Sequence, residues 1–336
     1  MNKLLVSASP HINGPHTVKS IMQDVCLALM PATLVGIFAF GFYPVVVILI
    51  TIASALMGEY LFNVITKSPN TTNDWSAVVT GLLLALNLPP VVPLYVPLVG
   101  GFFATMVVKM LFGGLGKNFA NPAITARIFL VLAWASAMST YVAPLDYSEG
   151  IGVMFKYFGN AWHGTIDTVT SATPLAFVKS GDLGSIRILD MFFGYIGGSL
   201  GEVSAFALLL GGLYLVFRKV LDWKIPVIYI GTVALLSLIF KGYEYVLPMA
   251  FGGGLFLGAI FMASDYSTSP NSHTGIIIYS VGLGVLTFII RIFSKMPESV
   301  SFSILLMNIV TPLIDKYIIP KPFGYIKPVK AKEEKA

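Results

Sequence analysis

The chain has 336 residues, of which 56% are hydrophobic and only 11% charged, and its mean hydropathy is +0.82. A soluble globular chain carries roughly 25% charged residues, so a soluble enzyme domain is excluded and a polytopic membrane protein is implied. The net charge of +5 is read as loop charge on one side of a bilayer, not as a nucleic-acid patch.

The first twenty residues, MNKLLVSASPHINGPHTVKS, are polar and hold two Pro. No apolar stretch with a cleavage site follows a basic start, so the first span is expected to act as its own insertion signal. The apolar runs beyond are long and continuous rather than alternating, which selects helices over a barrel. Ten spans are predicted, at about 22–40, 43–65, 76–90, 94–112, 122–140, 199–217, 226–240, 247–263, 274–292 and 300–318. The third ends in Leu88-Pro89-Pro90. The eighth carries Gly252-Gly253-Gly254 and ends at SDYSTSP. The only cysteine, Cys26, lies in the first span, so this chain alone supplies no disulfide or iron–sulfur cluster.

With the N-terminus inside, fifteen Lys and Arg fall on the cytoplasmic side and six on the other, which places both termini in the cytoplasm. Five spans then precede a long outside loop and five follow it, the pattern of an inverted repeat. The expected organisation is a cytoplasmic tail 1–21, a five-helix unit 22–140, an extracytoplasmic loop 141–190, a second five-helix unit 191–318 and a Lys-rich cytoplasmic tail 319–336. The fold class is all-α, with about ten membrane helices in two inverted repeats. GLLLALNLPP (Gly81 to Pro90) parallels GGLFLGAIFMASDYSTSP (Gly253 to Pro270), and NFANPA (Asn118 to Ala123) parallels MNIVTP (Met307 to Pro312). In repeat folds, interrupted spans at matching positions mark the central site, here the ends of the third and eighth spans.

Charge within lipid is costly and points to function. Glu59 sits deep in the second span, Glu202 starts the sixth, Asp265 ends the eighth and Asp315 closes the tenth. Glu59 and Asp315 are the candidates for an ion path; the plainer reading is pairing with Lys or Arg, or snorkelling to the interface. His11, His16, His163 and His273 show no metal-ligand spacing, and no phosphate-binding glycine motif is present. GGSLG (Gly197 to Gly201) enters a helix and reads as a close-packing site.

The outside loop holds IDTVTSATPLAF (Ile166 to Phe177), with hydroxyls at Thr168, Thr170, Ser171 and Thr173. Local chemistry makes Thr173 the N-cap of a short helix that has Pro174 at its first position. That reading leaves Asp167 and the small pair Ser171-Ala172 unexplained. Asp167-x-x-Thr170-Ser171-Ala172-Thr173 resembles the flavinylation motif D-x-x-[ST]-[GS]-A-T. Three further stretches extend the resemblance in the right order: GEYLFNVITK (Gly58 to Lys67), FGGLGKNFANPAITAR (Phe112 to Arg127) and GGSLGEVSA (Gly197 to Ala205). Together they are similar to a family of membrane subunits that contains the D subunit of the Rnf complex and the B subunit of the Na⁺-pumping NADH:quinone reductase. With only about twenty residues before the first span, the chain is nearer the Rnf side; Ser171 stands where many members have Gly.

The resemblance implies a urea-transporter-like architecture and a subunit of a ferredoxin:NAD⁺ oxidoreductase that exports Na⁺ or H⁺ and is not catalytic alone. It implies FMN joined through its phosphate to Thr173. A flavin transferase would read Asp167, Thr170, Ser171 and Ala172. Asn118 and Asn121 match positions near a second, non-covalent flavin (riboflavin), and helix-end capping is their alternative role. The partners implied are the other Rnf subunits, the transferase and the lipid bilayer. The competing readings are the quinone-reductase subunit and a non-redox transporter of the same fold.

Overall fold

The computed structural model describes residues 17–157, 172–184, 186–294 and 299–319. Among them the structure is helical, with no run of β-strand. The first unit contains α1 (Val18–Phe40), α2 (Tyr43–Thr66), α3 (Ser76–Leu86), α4 (Tyr95–Phe102, continued as π-helix over Phe103–Met110), α5 (Pro122–Ala133) and α6 (Ala135–Met138). The loop region contributes α7 (Pro174–Ser180) and α8 (Ile188–Phe193). The second unit contains α9 (Ala205–Phe217), α10 (Lys224–Lys241), α11 (Val246–Phe251), α12 (Leu255–Leu257, continued as π-helix over Gly258–Met262), α13 (His273–Phe293) and α14 (Ser299–Tyr317).

Local chemistry sets the helix ends. A reciprocal capping box starts α1: Ser20 N donates to Thr17 Oγ1 at 3.2 Å and Thr17 N to Ser20 Oγ at 3.0 Å. The same helix stops at Gly41, whose φ of +84° suits glycine. Pro44 and Pro122 occupy first-turn positions of α2 and α5, where a missing N–H costs nothing.

The helices are apolar outside and carry their polar groups within. On α2, Leu49, Met57 and Ile65 face outward, while Thr51, Ser54 and Glu59 are buried. That inversion is what lipid requires, and the chain is a multi-span membrane protein. Five helices, α1, α2, α10, α13 and α14, are long and apolar enough to cross a bilayer. The pair Tyr243–Phe251 and Leu255–Met262, bent by 62°, makes a sixth if counted as one span. The other four expected spans appear as shorter apolar helices, Ser76–Leu86, Tyr95–Met110, Pro122–Ala133 and Ala205–Phe217. The expected fifth span stops early because the backbone leaves helical geometry at Trp134.

The two interruptions read from the sequence are real breaks. After α3 the segment Asn87 to Leu94 runs without helix, yet it is buried throughout. Groups from the opposite unit meet it: Leu200 N donates to Leu88 O at 3.0 Å and, at the end of α3, Gly201 N donates to Leu86 O at 2.7 Å. The Tyr43 hydroxyl donates to Val92 O at 2.8 Å. The second break, Gly252 to Gly254, separates α11 from α12.

The units meet where α1 packs on α9 and where α5 touches α14, while α2 holds α3 and α4 and α10 holds α13. Asp24 of α1 accepts from Tyr214 Oη at 2.9 Å and from Arg218 Nε and Nη2 at 3.2 and 3.1 Å. Three cations counted as loop charges are instead interior: Lys109, Arg127 and Arg291. Taking two from one side and one from the other leaves thirteen against five, so the bias keeps its sign.

Gly211 of α9 faces α1 so closely that a Cβ there would land on the Ala28 carbonyl. Gly211→Ala should therefore cost about 1–3 kcal/mol through forced separation, seen as a lower melting temperature in detergent. Gly231→Ala, with nothing within 4 Å of its Cβ, should leave melting unchanged or slightly raised; equal losses in both variants would contradict the close-packing account.

Candidate functional site

Two cavities stand out, and the first lies where the two breaks meet. The first opens at Thr173. Its walls include Gly197, Gly198, Glu202 and Gly252 to Gly254, and its inner end carries Asn87, Arg127 and Met262. Thr173 is held in place by α7, which is short but pinned: Leu175 and Val178 pack in a small core with Met249 of α11 and Phe288 of α13. The Thr173 carbonyl accepts from Ala176 N at 2.8 Å and Phe177 N at 3.3 Å, so it occupies the N-cap position. Its side chain, however, makes no capping hydrogen bond. The cap reading is right for the backbone and leaves the hydroxyl uncommitted to that role. Of the other motif residues, Ala172 is exposed, while Asp167, Thr170 and Ser171 lie outside the described residues.

The glycines form the cavity floor. A Cβ on Gly254 would approach Glu202 Oε1 to 3.0 Å, and one on Gly253 would approach Arg291 Nη2 to 2.9 Å. Glu202 accepts from Ser199 N at 3.1 Å and from Ser199 Oγ. At the inner end Arg127 Nη1 donates to Asn87 Oδ1, and Asn87 Nδ2 donates to Leu83 O at 2.7 Å and contacts Met262 Sδ at 3.4 Å. On α7, Lys179 Nζ donates to Ser294 O at 3.0 Å. Partial burial and the Arg291 charge together push its ammonium below the usual lysine range.

The second cavity lies toward the other end of α13. It is lined by Ile21 and Val25 of α1, Leu215 of α9, Phe261, and a polar group of Ser76, Lys109, Asn118, Asn121, Asp265 and Ser267. Asn118 Nδ2 donates to Ala120 O at 2.9 Å and Ser267 Oγ at 3.2 Å. Asn121 caps α5, accepting from Ala123 N at 3.0 Å and Ile124 N at 3.3 Å, and its Nδ2 reaches Met262 O at 3.4 Å. Asp265 accepts from Ser267 Oγ at 3.0 Å.

Glu59 is fully buried, and its partner is Lys109, Nζ to Oε2 at 2.8 Å, not the nearby Lys67. Thr71 Oγ1 donates to the other carboxylate oxygen, and Lys109 also donates to Ser76 Oγ. Asp315 is not among the partners of this group; it accepts from Asn271 N at 3.2 Å and Asn271 Nδ2 at 3.3 Å. The structure thus joins Glu59 to the second cavity through Lys109 and leaves Asp315 on a loop contact. Among the described residues no group of three or more His, Cys, Asp or Glu could hold a metal. His273 sits beside Lys224, Nδ1 to Nζ at 3.1 Å; the other three histidines lie outside the described residues. Sequence reasoning missed Lys109, Arg127, Arg291 and Asp24. A cation within an apolar run was the available signal for Lys109.

Residues 5–324 match the model of the NQR2, RnfD, RnfE family. The chain is 45% identical, over 96% of each chain, to the D subunit of the Na⁺-translocating ferredoxin:NAD⁺ oxidoreductase complex of Acetobacterium woodii. It is 40% identical to the D subunit of the proton-translocating ferredoxin:NAD⁺ oxidoreductase complex of Clostridium ljungdahlii, over 96% of this chain and 97% of that one. To the D subunit of the ion-translocating oxidoreductase complex of Stutzerimonas stutzeri it is 37% identical, over 92% of each.

The Lys109–Glu59 pair gives a sharp stability test. Lys109→Met strands a buried carboxylate and should cost about 3–5 kcal/mol, whereas the double variant Lys109→Met/Glu59→Gln should recover most of it. Melting curves in detergent read the difference; a double variant as weak as the single one would deny the pairing its structural role.

Proposed function

The chain belongs to the NQR2, RnfD, RnfE family, and from that premise we propose that it is the D subunit of an ion-translocating ferredoxin:NAD⁺ oxidoreductase. It acts within a multi-subunit complex and is not catalytic alone. In this reading the ten apolar segments form two inverted five-helix repeats, with both termini in the cytoplasm and Thr173 on the outer side. FMN is carried as a phosphoester on Thr173. The observation that supports this most is the Thr173 hydroxyl, which ends the D-x-x-T-S-A-T motif, makes no capping bond and borders a glycine-floored cavity.

The residues present suit such a group. Gly197, Gly198 and Gly252 to Gly254 leave room beside Thr173, and Arg127 and Glu202 supply polar contacts at the wall. α7 fixes the attachment point through Leu175 and Val178. Asn118 and Asn121 line the second cavity, which takes a non-covalent riboflavin; its apolar middle accepts a ring system and its polar end fixes orientation. A bound flavin supplies the electron transfer, which no side chain here can perform. The protein holds it, limits water and passes electrons on to partner subunits.

Export of Na⁺ or H⁺ accompanies that transfer. Two relatives with similar identity bear names that differ in the ion, so overall likeness does not select it. Asp315, near the surface, is the acid we retain as an ion contact, because the charge of Glu59 is already taken by Lys109.

Flavin attachment can be read directly. Protein made in cells containing a flavin transferase should give a band on a denaturing gel that fluoresces under ultraviolet light, with one FMN adduct by mass. Thr173→Val should remove all of that fluorescence and Thr173→Ser should keep it. A dark parental band would refute the covalent assignment. Asn118→Leu should release riboflavin from the native protein while the fluorescent band persists; loss of neither would remove the second site. Quinone reduction by the purified complex, without ferredoxin activity, would favour the quinone-reductase subunit instead.

A further inference from the structure

Arg291 is among the most deeply buried side chains of the protein, with 1% of its surface exposed. Its guanidinium lies one backbone layer beneath the first cavity. Nη1 donates to Met249 O, Nη2 to Gly252 O at 2.7 Å and Gly253 O at 3.4 Å, and Nε to Ser299 Oγ at 3.1 Å. Every one of these acceptors is neutral. Among the described residues no carboxylate forms an ion pair with Arg291; Glu202, on the other side of Gly254, acts on it only at a distance. A buried cation balanced only by carbonyls costs several kcal/mol unless negative charge comes close.

The equivalent cation of the first unit shows the contrast. Lys109 stands in the last turn of the π-continued α4, and Arg291 in the last turn of α13. Each lies at the end of the fourth span of its unit, beside a different cavity. Lys109 has its own carboxylate, Glu59 at 2.8 Å. Arg291 has none among the described residues. Among the described residues, the floor of the first cavity is backed by the Arg291 guanidinium, and its wall carries Arg127 and the carboxylate of Glu202.

We propose that Arg291 is a positioning residue that builds the Gly252 to Gly254 floor and supplies the positive charge for an anionic ligand in the cavity at Thr173. The inference rests on the reading that this ligand is the flavin. Negative charge that arrives with electrons is then stabilised from below through bare glycine backbone. The absence of side chains at Gly252, Gly253 and Gly254 keeps that separation to one layer. Glu202 opposes it from the wall. Removing Arg291 should lower the reduction potential of the ligand, and neutralising Glu202 should raise it.

The test is a spectroelectrochemical titration of the intact complex, following the visible absorbance that disappears in Thr173→Val. Arg291→Met should shift the midpoint to lower potential, Arg291→Lys should restore most of the shift, and Glu202→Gln should move it upward. Arg291→Met with parental flavin content and an unchanged midpoint would overturn the proposal. Should Arg291→Met fail to assemble, Glu202→Gln decides: an unmoved midpoint there refutes the electrostatic role. A parental protein with no flavin on Thr173 would instead contradict the proposed function itself.

Discussion

A membrane interior offers no water to a broken backbone, so each interrupted helix must find its hydrogen bonds inside the protein. This chain breaks twice, and both breaks border the first cavity. The segment after α3 is repaired by the amides of Leu200 and Gly201 from the other unit and by the Tyr43 hydroxyl. The segment after α11 is repaired by one guanidinium, Arg291. Non-helical backbone at this depth is tolerated where it is buried or lines a cavity, and both breaks meet that condition. Glycine lets the second break bend by 62° and also clears the floor beside Thr173.

The cavities share a wall. On α5, Asn121 to Ala123 face the second cavity, whereas Ile124 and Arg127 face the first. On the π-continued α12, Gly258 and Met262 face the first, whereas Ile260, Phe261 and Ser264 face the second. Met262 is the narrowest element: its sulfur meets Asn87 from one side and its carbonyl meets Asn121 from the other. π-Helical turns inside α-helices are frequent at functional sites, and here one turn splits its residues between two sites.

Much of this was legible in the sequence, for reasons that differ by element. Leu88-Pro89-Pro90 and Gly252-Gly253-Gly254 announce breaks because Pro removes a donor and Gly permits φ of +65°, as Gly253 and Gly254 adopt. Hydropathy located each apolar segment, but it cannot register a bend, a π turn or a helix stop at Trp134, so the segments expected at 76–90, 94–112, 122–140 and 199–217 were drawn longer than their helices, while the five longest helices match or exceed expectation. Thr173 was singled out by a motif; its uncapped hydroxyl and glycine-floored surroundings are properties of packing. Asn121 serves as both helix cap and cavity wall, so two readings of one residue were compatible. The Lys109–Glu59 pair spans fifty positions, and the clamp of Asp24 on Tyr214 and Arg218 spans about 190. No local pattern encodes partners so distant. Arg291, taken from the sequence as a loop charge, was hidden by its place at a helix end.

The seam between α1 and the second unit carries a mechanical consequence. At one point a Cβ on Gly36 would come within 2.6 Å of the Leu200 carbonyl, and at another Gly211 lies directly against the Ala28 carbonyl. Backbone touches backbone at both places, and the Asp24 clamp ties the start of α1 to the end of α9. Such a joint has no slack for one unit to tilt against the other, the motion by which many transporters with repeated halves expose a site alternately to each side. The seam therefore keeps the two cavities at a set separation, and motion near them is left to side chains and loops rather than to a tilt of one half against the other.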